Sequence, residues 1–295
     1  MSTIELDIIK ALAEEGNMRK ASERLHLSQP ALSQRLQTIE KEWGMQLFIR
    51  SQKGLEPTPA GEHVISYAKE SLAKKDETME LIASLEDKVH GTLKIACASI
   101  IGQTWLPQVL KDYVALYPDA KISLMTGWSS EISKALYEGE AHIGIVRGQT
   151  DWKSNRVYLF RDQLYLVDSE ISTIDELKDT NRHFIQYKSD SNYYMEIQRW
   201  WNKHFNQNPS RQIVVDQIEM CKQLALKGIG YAILPSITLS GDEKVNLIPL
   251  LNSEEEFELT RDTWLIGYGS TFELKQVKAF VDIVQEYAEL LRKDQ

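Results

Sequence analysis

Hydrogen-bonding side chains are concentrated on one short segment near the start of the chain, Ser28–Gly44, whose sequence is SQPALSQRLQTIEKEWG. Leu32, Leu36, Ile39 and Trp43 recur there at helical spacing, which predicts a helix with these four residues facing inward. The outer face would then carry Gln29, Ser33, Gln34 and Gln37. Amides and hydroxyls suit the base edges of a DNA major groove, where glutamine bridges N6 and N7 of adenine. A solvated helix face without a ligand is the alternative.

The start of this helix also offers a site for phosphate. Ser28 is a favourable N-cap, and Pro30 follows where its missing N–H costs nothing. The helix N-terminus and the Arg35 guanidinium can both hold a phosphate. Although the whole chain has a net charge of −9, residues 17–53 contain seven basic and three acidic residues, a local charge of +4. A nucleic-acid partner is therefore compatible with this part of the chain.

The elements around this segment predict a winged helix-turn-helix domain over residues 1–58. Ile4, Ile8, Ala11 and Leu12 form one apolar stripe, and Arg19 to Leu25 predicts a brief second helix. After Gly44, the sequence MQLFIRSQKGLEPTPAG predicts a strand, a basic tip and a returning strand. The candidate DNA-binding residues are Arg19, Ser28, Gln29, Pro30, Ser33, Gln34, Arg35, Gln37, Arg50 and Lys53.

Residues 59–89 predict a long connecting helix. Thr58 and Pro59 supply its start, and neither glycine nor proline interrupts it after Gly61. Its apolar residues fall on one seam, namely Ile65, Ala68, Leu72, Met79, Ile82 and Val89. Such a helix needs a partner, and the simplest is its copy in a second chain, which makes a homodimer that binds an interrupted inverted repeat. Docking on the C-terminal part of its own chain is the alternative.

Residues 90–295 alternate between strand and helix patterns and predict a two-lobed α/β effector-binding domain. The run from Thr92 to Val146 has the order βαβαβ, which indicates a parallel sheet. Strand patterns from Leu164 onward supply a second lobe, and TWLIGY crosses back before a final helix. The expected lobes are residues 90–162 with 268–295, and residues 163–267. The predicted fold class is thus α/β, with a helical winged domain in front.

Polar groups gather where the predicted strands of the two lobes end. Ligands of open α/β sheets lie at strand C-termini and helix N-termini, so hydroxyls and cations there predict a cleft for a small carboxylate anion. The candidate effector-binding residues are Ser99, Ile100, Gly127, Ser129, Ser130, Arg147, Gln186, Lys188 and Arg261. The serines are equally explained as helix N-caps, and the three basic residues as surface ion pairs.

Other classes of function find little support in the sequence. We find no nucleophile elbow, phosphate-binding glycine loop or zinc-protease motif, and six scattered histidines predict no metal site. A solute receptor would share the two-lobed clamp but would not need the first ninety residues. Cys97 and Cys221 predict buried thiols, with a redox switch as the alternative. Without a long apolar run or a leader pattern, the sequence predicts a cytoplasmic protein.

The first sixty residues resemble the LysR-type transcriptional regulators. The matching residues are Ala21, Leu25, Ser28, Gln29, Pro30, Ser33, Glu40, Gly44, Leu47, Phe48, Arg50, Thr58, Ala60 and Gly61. Ser22 departs from the family, which usually has alanine there. The resemblance implies a regulator, not an enzyme, that binds double-stranded DNA as a dimer, often as a dimer of dimers, and that places Arg50 on the phosphate backbone. RNA polymerase is a further candidate partner.

The resemblance extends along the C-terminal region, in GTLKIACASIIGQTWLPQVLKDYVALYP, IGIVRG, GIGYAILPS and RDTWL. Within the family it is nearest to the citrate-responsive catabolite control proteins C and E of Gram-positive bacteria. That likeness implies control of tricarboxylic-acid-cycle genes by citrate, with no cofactor. It also implies that Ser99, the loop of residues 127–130, Arg147 and Arg261 hold the effector. Another small anion is the alternative effector.

Overall fold

A computed structural model describes residues 1–51, 54–83, 88–188, 192–205, 207–239, 244–251 and 259–293. The chain divides into two compact units. One unit comprises Met1–Asp87 with Ala135–Glu140, and the other comprises Lys88–Lys134 with Ala141–Gln295. The wing-tip candidate Lys53 lies outside the described residues. No helix in the described part of the chain is both long and apolar enough to cross a membrane.

The first unit contains the expected winged helix-turn-helix domain and connecting helix. Its helices are α1 (Thr3–Glu15), α2 (Met18–Arg24), α3 (Gln29–Trp43) and α4 (Pro59–Ala83), and its wing strands are β1 (Phe48–Ser51) and β2 (Gly54–Pro57). The two strands pair in antiparallel register, with Arg50 opposite Leu55. The helical and strand periodicities of the sequence therefore predicted each of these elements.

Local capping explains where the first three helices begin and end. Ser2 and Glu5 form a reciprocal capping box at the start of α1, and Asn17 accepts two backbone N–H groups at the start of α2. Gly44 ends α3 with φ +68°, a left-handed conformation that suits glycine. These caps pair backbone groups that would otherwise lack partners at the helix ends.

The core of this unit corrects part of the predicted packing. Ile8 and Leu12 are buried as expected, but Ile4 is exposed at the first turn of α1. Trp43 is 41% exposed, whereas it was expected to face inward. Trp43 lies in the last turn of α3, and its indole packs edge-on against the Tyr67 ring with the ring centroids 5.9 Å apart. Leu47 and Phe48, which follow α3 in the chain, are both buried in the core instead.

The connecting helix uses its apolar seam in two different ways. Val64 and Ala68 are buried in the winged-helix core, and Ile65 and Leu72 pack against it. Farther along α4, Met79 and Ile82 are exposed. The winged domain therefore covers the first half of this seam and leaves Met79 and Ile82 uncovered.

The second unit combines helices with a mixed sheet. Its helices are α5 (Ser99–Thr104), α6 (Leu106–Leu116), α7 (Ser129–Tyr137), α8 (Asn192–His204), α9 (Ile218–Leu226), α10 (Gly269–Phe272) and α11 (Lys275–Lys293), and the last residues of α7, 135–137, fall within the first unit. Its strands are β3 (Gly91–Ala98), β4 (Ala120–Gly127), β5 (Ile143–Arg147), β6 (Asn155–Asp168), β7 (His183–Tyr187), β8 (Gln212–Val215), β9 (Gly230–Pro235), β10 (Asn246–Pro249) and β11 (Thr260–Gly267).

Strand pairing separates this unit into two lobes joined by two strands. The order is β4-β3-β5-β11-β6-β9-β7-β8, with β10 also paired to β6. In lobe I, β3 pairs in parallel with β4 and β5, which confirms the predicted βαβαβ order. In lobe II, β7 pairs in parallel with β8 and β9. The crossing strands β6 and β11 run antiparallel through both lobes, and β6 begins at Asn155, earlier than the Leu164 start expected for its lobe II portion.

Candidate DNA-binding surface and effector cleft

The outer face of α3 presents the polar residues that were expected to read DNA. Gln29, Gln34, Arg35 and Gln37 are exposed, whereas Leu32, Leu36 and Ile39 on the opposite face are buried. The Ser28 hydroxyl accepts a hydrogen bond from the Ala31 N–H at 3.3 Å, and Pro30 occupies the first turn. The Ser28 side chain therefore caps the helix, and the glutamine side chains that follow it remain exposed.

A side-chain hydrogen bond joins the wing to α3. The Arg50 Nη2 donates to the Ser33 Oγ at 3.1 Å. Ser33 was expected to contact a base and Arg50 a phosphate, as two separate contacts. Because these two side chains contact each other, their positions toward any duplex are coupled.

The Glu40 carboxylate fixes where the wing starts, a role that the sequence did not indicate. Its Oε1 accepts hydrogen bonds from the backbone N–H of Leu47 at 2.8 Å and of Phe48 at 3.2 Å. Glu40 lies on α3, so these bonds hold the start of the wing strand against α3. Only its match to the family pattern could have drawn attention to it.

Ion pairs reduce the positive charge that the second helix offers. Arg19 lies 3.2 Å from Glu23 one turn later, and both side chains are largely exposed. Arg24 contacts Glu14 at 2.6 Å and Glu15 at 3.1 Å, and these hydrogen bonds raise the pKa of its guanidinium. The Arg24 charge is consequently balanced within the domain, whereas Arg35 and Arg50 are exposed near the outer face of α3.

A cavity of about 60 Å³ lies between the two lobes of the second unit. It is formed where strands of both lobes end and helices begin, as expected from the sheet topology. Its lining residues are Ala98, Ser99, Ile100, Gly127, Trp128, Ser129, Arg147, Tyr187, Tyr193, Ile218, Pro235 and Arg261. Six of the nine effector-binding candidates, namely Ser99, Ile100, Gly127, Ser129, Arg147 and Arg261, are thus brought together.

The two serines of the cavity tie neighbouring strand ends to each other. Ser99 is the first residue of α5, and its Oγ donates to the Gly127 carbonyl at 3.4 Å. Ser129 begins α7, and its Oγ accepts from the Arg147 N–H at 3.4 Å. Both hydroxyls therefore stand at helix starts inside the cavity and stay close to polar backbone.

Arg147 enters the cavity from the end of β5 as half of a buried ion pair. Its Nη2 lies 2.7 Å and 3.0 Å from the two carboxylate oxygens of Asp162 on β6. The side chains of Arg147 and Asp162 are only 6% and 1% exposed, so the alternative of a surface ion pair is wrong. The Arg147 Nη1 is buried and has no hydrogen-bond partner, which leaves its two N–H groups available.

Arg261 enters the cavity from β11, directly opposite Asp162 in the strand register. Its guanidinium lies over the Tyr193 ring, 5.0 Å from the ring centroid, and its Nη2 contacts the Arg147 carbonyl at 3.5 Å. Its side chain is 6% exposed, and this burial lowers the pKa of the guanidinium. The Nε and Nη1 groups have no hydrogen-bond partner, so this cation is incompletely satisfied.

Gly148 makes room for the Arg261 side chain. It has φ +81°, and a Cβ at this position would lie 2.8 Å from the Arg261 Nη2. Any side chain here would be strained and would crowd the guanidinium, which explains why glycine follows Arg147.

Three effector-binding candidates lie outside the cavity lining. Tyr187 lines the cavity, and because side chains alternate along a strand, its neighbour Gln186 in β7 points to the other face. Lys188 is exposed and lines a separate depression with Asp216 and Met220. Ser130 is exposed beside the lining residue Ser129. The sequence missed the aromatic lining and the two carboxylates, Asp162 and Glu196, that face the arginines.

Comparison with known proteins agrees with this architecture. Residues 5–62 match the family model described as "Bacterial regulatory helix-turn-helix protein, lysR family", and residues 86–289 match "LysR substrate binding domain". The chain belongs to the LysR family of transcriptional regulators. LysR-type regulators bind DNA as oligomers and bind small effectors in the substrate-binding domain, so this chain is a DNA-binding regulator and not an enzyme.

Relatives of this LysR-type regulator match nearly its whole length. The uncharacterized HTH-type transcriptional regulator YkuM of Bacillus subtilis is 58% identical over 97% of each chain, and YraN of the same organism is 34% identical over 94% of this chain and 95% of its own. Among solved structures, a full-length OxyR variant from Pseudomonas aeruginosa has a TM-score of 0.70 at 18% identity, covering 98% and 95% of the two chains. CbnR in complex with its target DNA has a TM-score of 0.67 at 21% identity, covering 97% and 100%.

Proposed function

We propose that this LysR-type regulator binds an interrupted inverted repeat and is controlled by citrate, a small carboxylate, in the cleft between its effector lobes. Its target genes would then be those of the tricarboxylic-acid cycle and central carbon metabolism. The observation that carries the proposal is a pair of buried guanidinium groups, Arg147 and Arg261, that retain unpartnered N–H donors in one cavity. Buried N–H donors of this kind cost free energy unless a ligand accepts from them.

The chemistry of the cavity favours a carboxylate over a neutral or cationic ligand. Guanidinium groups bind carboxylates through short, charge-assisted hydrogen bonds. The starts of α5 and α7, with Ser99 and Ser129, add backbone N–H groups and hydroxyls. Citrate has several carboxylates and a hydroxyl, so it can address both arginines and the serine side of the cavity together.

Dimer formation through α4 is part of the proposal. Met79 and Ile82 are exposed on the second half of α4, beyond the part that packs on the winged domain. Pairing with a second copy would cover them, place two α3 helices on one DNA face, and allow association into a tetramer. RNA polymerase is a candidate contact of the assembled regulator.

The proposed control is a shift between two arrangements of the dimer. Citrate would close or reorient the lobes and so change the spacing of the two DNA-binding domains. To act on transcription it must bind one arrangement better, and a tenfold preference corresponds to about 1.4 kcal/mol.

DNA recognition is tested by fluorescence anisotropy with the natural promoter and a scrambled duplex at several salt concentrations. Gln29→Ala should relax the preference between the duplexes, whereas Arg50→Ala should weaken both and reduce the log–log salt slope by about 1 per protomer. Arg24→Ala is the matched control, because Glu14 and Glu15 already balance its charge. No preference by the wild type for its promoter would refute sequence-specific binding through α3.

Effector binding is tested by calorimetric titration with citrate, isocitrate and succinate, and with arginine, the effector named for the Corynebacterium glutamicum LysG structure. We expect citrate to bind, and Arg261→Gln to lose at least about tenfold in affinity through the loss of a charge-assisted contact. Lys188→Gln removes an equivalent charge outside the cavity and should bind as the wild type does. Binding of arginine but not of carboxylates would refute an anion site.

A further inference from the structure

The arginines of the effector cavity are opposed by an equal number of carboxylates. Arg147 is paired with Asp162, and the Arg261 Nη1 lies 3.5 Å from the Glu196 Oε2 on α8. Two cations and two anions leave this cluster with no net charge in its ionised form. A multivalent anion that entered it would meet two fixed negative charges as well as two positive ones.

The two carboxylates are held very differently. Asp162 is 1% exposed and contacts its arginine at 2.7 Å, so it is strongly fixed by the pair. Glu196 is 26% exposed, its ion pair is longer, and its buried Oε2 accepts no hydrogen bond. Glu196 is therefore the weaker partner, and it stands against the N–H groups of Arg261 that lack a hydrogen bond.

We propose that Glu196 competes internally with the effector for Arg261, and that the anion binds to the form of the cleft in which Glu196 has taken up a proton. This inference rests on the proposed anion effector. A carboxylate of the ligand replaces the Glu196 carboxylate as the counter-ion of Arg261, and protonation removes the negative charge that would repel it. Anions of low charge compete poorly with the Glu196 carboxylate for Arg261. Because the competitor can be protonated, effector affinity also depends on pH.

The surroundings of Glu196 affect the pKa of its carboxyl in two opposite directions. Among the described residues, the charged groups that act on it are Arg261 from β11, Arg147 from β5 and Arg199 of its own helix. Asp162 from β6 acts on the Arg261 guanidinium. The phenols of Tyr193, on α8, and Tyr187, on β7, complete the cavity wall on this side. Burial raises the pKa of the Glu196 carboxyl above its usual value, and the three arginines act in the opposite direction.

The sign of the pH dependence follows from this exchange. Binding that requires a proton on Glu196 becomes weaker as pH rises above the pKa of Glu196 in the free protein, by about tenfold for each pH unit in the limit. Lower pH favours the protonated cleft and tighter binding. If the arginines alone bound the effector, the affinity would depend on pH only through the ionisation of the ligand itself.

The test is calorimetric titration of the full-length protein with citrate between pH 6 and 8.5, for the wild type and for Glu196→Gln, in buffers of different ionisation enthalpy. Glutamine keeps the size of the side chain but cannot hold the charge. We expect Glu196→Gln to bind citrate more tightly than the wild type at high pH, with an affinity ratio that rises with pH. Citrate's own ionisation cancels in this ratio. Proton uptake should approach one per site in the wild type and fall by about that amount in the variant.

Glu176→Gln, which removes an exposed carboxylate from the same lobe, is the control and should follow the wild type at every pH. Thermal unfolding and promoter binding show whether Glu196→Gln remains folded. Equal affinities of wild type and variant at all pH values, or weaker binding by the folded variant, overturn the role of Glu196 while leaving the anion site intact. Failure of both proteins to bind any carboxylate overturns the proposed effector and this inference together, whereas binding by the variant alone supports the inference.

Discussion

Removing Arg147 should destabilise the effector unit as well as abolish effector binding. The substitution Arg147→Met keeps an apolar chain of similar length but removes the partner of Asp162, whose side chain is 1% exposed. Breaking a buried ion pair by removing one member costs about 3–5 kcal/mol, because the other charge stays buried without a partner. Arg261 lies opposite Asp162 in the register and compensates in part, so we expect the lower end, about 3 kcal/mol.

The expected loss is large enough to measure by thermal unfolding. The effector unit has roughly 200 residues, and in a unit of that size about 1 kcal/mol shifts Tm by about 2–4 °C. Arg147→Met should therefore lower the unfolding midpoint of this unit by about 6–12 °C in scanning calorimetry. The winged domain should remain folded, and the affinity of the variant for DNA should therefore equal that of the wild type.

The double variant Arg147→Met/Asp162→Leu separates the two consequences. It removes both charges, and replacing a buried pair by apolar residues of similar volume is often neutral, so most of the lost stability should return. Citrate binding should not return, because the cavity lacks one guanidinium. A single variant that melts within about 2 °C of the wild type, or a double variant no more stable than the single one, would refute the reasoning.

Three further outcomes test the packing. Gly61→Ala should cost about 2–3 kcal/mol of winged-domain stability in urea unfolding, since its Cβ would lie 2.0 Å from the Leu47 carbonyl oxygen; an unchanged midpoint would contradict this close approach. Glu40→Ala should lose about 1.5–3 kcal/mol in the same assay, because two backbone N–H groups lose a charged acceptor, and Glu40→Gln should lose less. Cys97 and Cys221 are buried and burial raises the pKa of both thiols, so alkylation followed by mass spectrometry at pH 8 should be slow until urea is added, and rapid native labelling would argue for a redox role.

Local pattern was sufficient to predict most elements of the fold. The cap at Ser28, the left-handed Gly44 and the strand-helix alternation after residue 90 are short-range signals, and each predicted its element. The inward position of Trp43 was wrong because helical periodicity does not say where the core ends. Residues 47 and 48, which follow the helix, are buried in that core, whereas Trp43 is 41% exposed.

The cleft was predictable in outline but not in charge. Strand ends identified the arginines and serines, because topology brings strand ends together. The pairing of Arg147 with Asp162 and of Arg261 with Glu196 joins residues that are far apart in sequence, and no spacing rule connects them. The sequence indicated Gln186, whereas its neighbour Tyr187 lines the cavity. A shift of one residue along a strand places the side chain on the opposite face of the sheet.

The position of α11 has a consequence for how the protein is made. This helix closes lobe I from the far end of the chain: the Tyr113 hydroxyl donates to the Gln276 carbonyl at 3.0 Å, and the Tyr113 and Phe280 rings lie 5.6 Å apart. During synthesis, lobe I begins roughly 180 residues before the helix that covers its core emerges from the ribosome. Lobe II is therefore translated in full while the earlier lobe is still open, and nascent chains stopped before residue 275 should depend on chaperones to stay unaggregated.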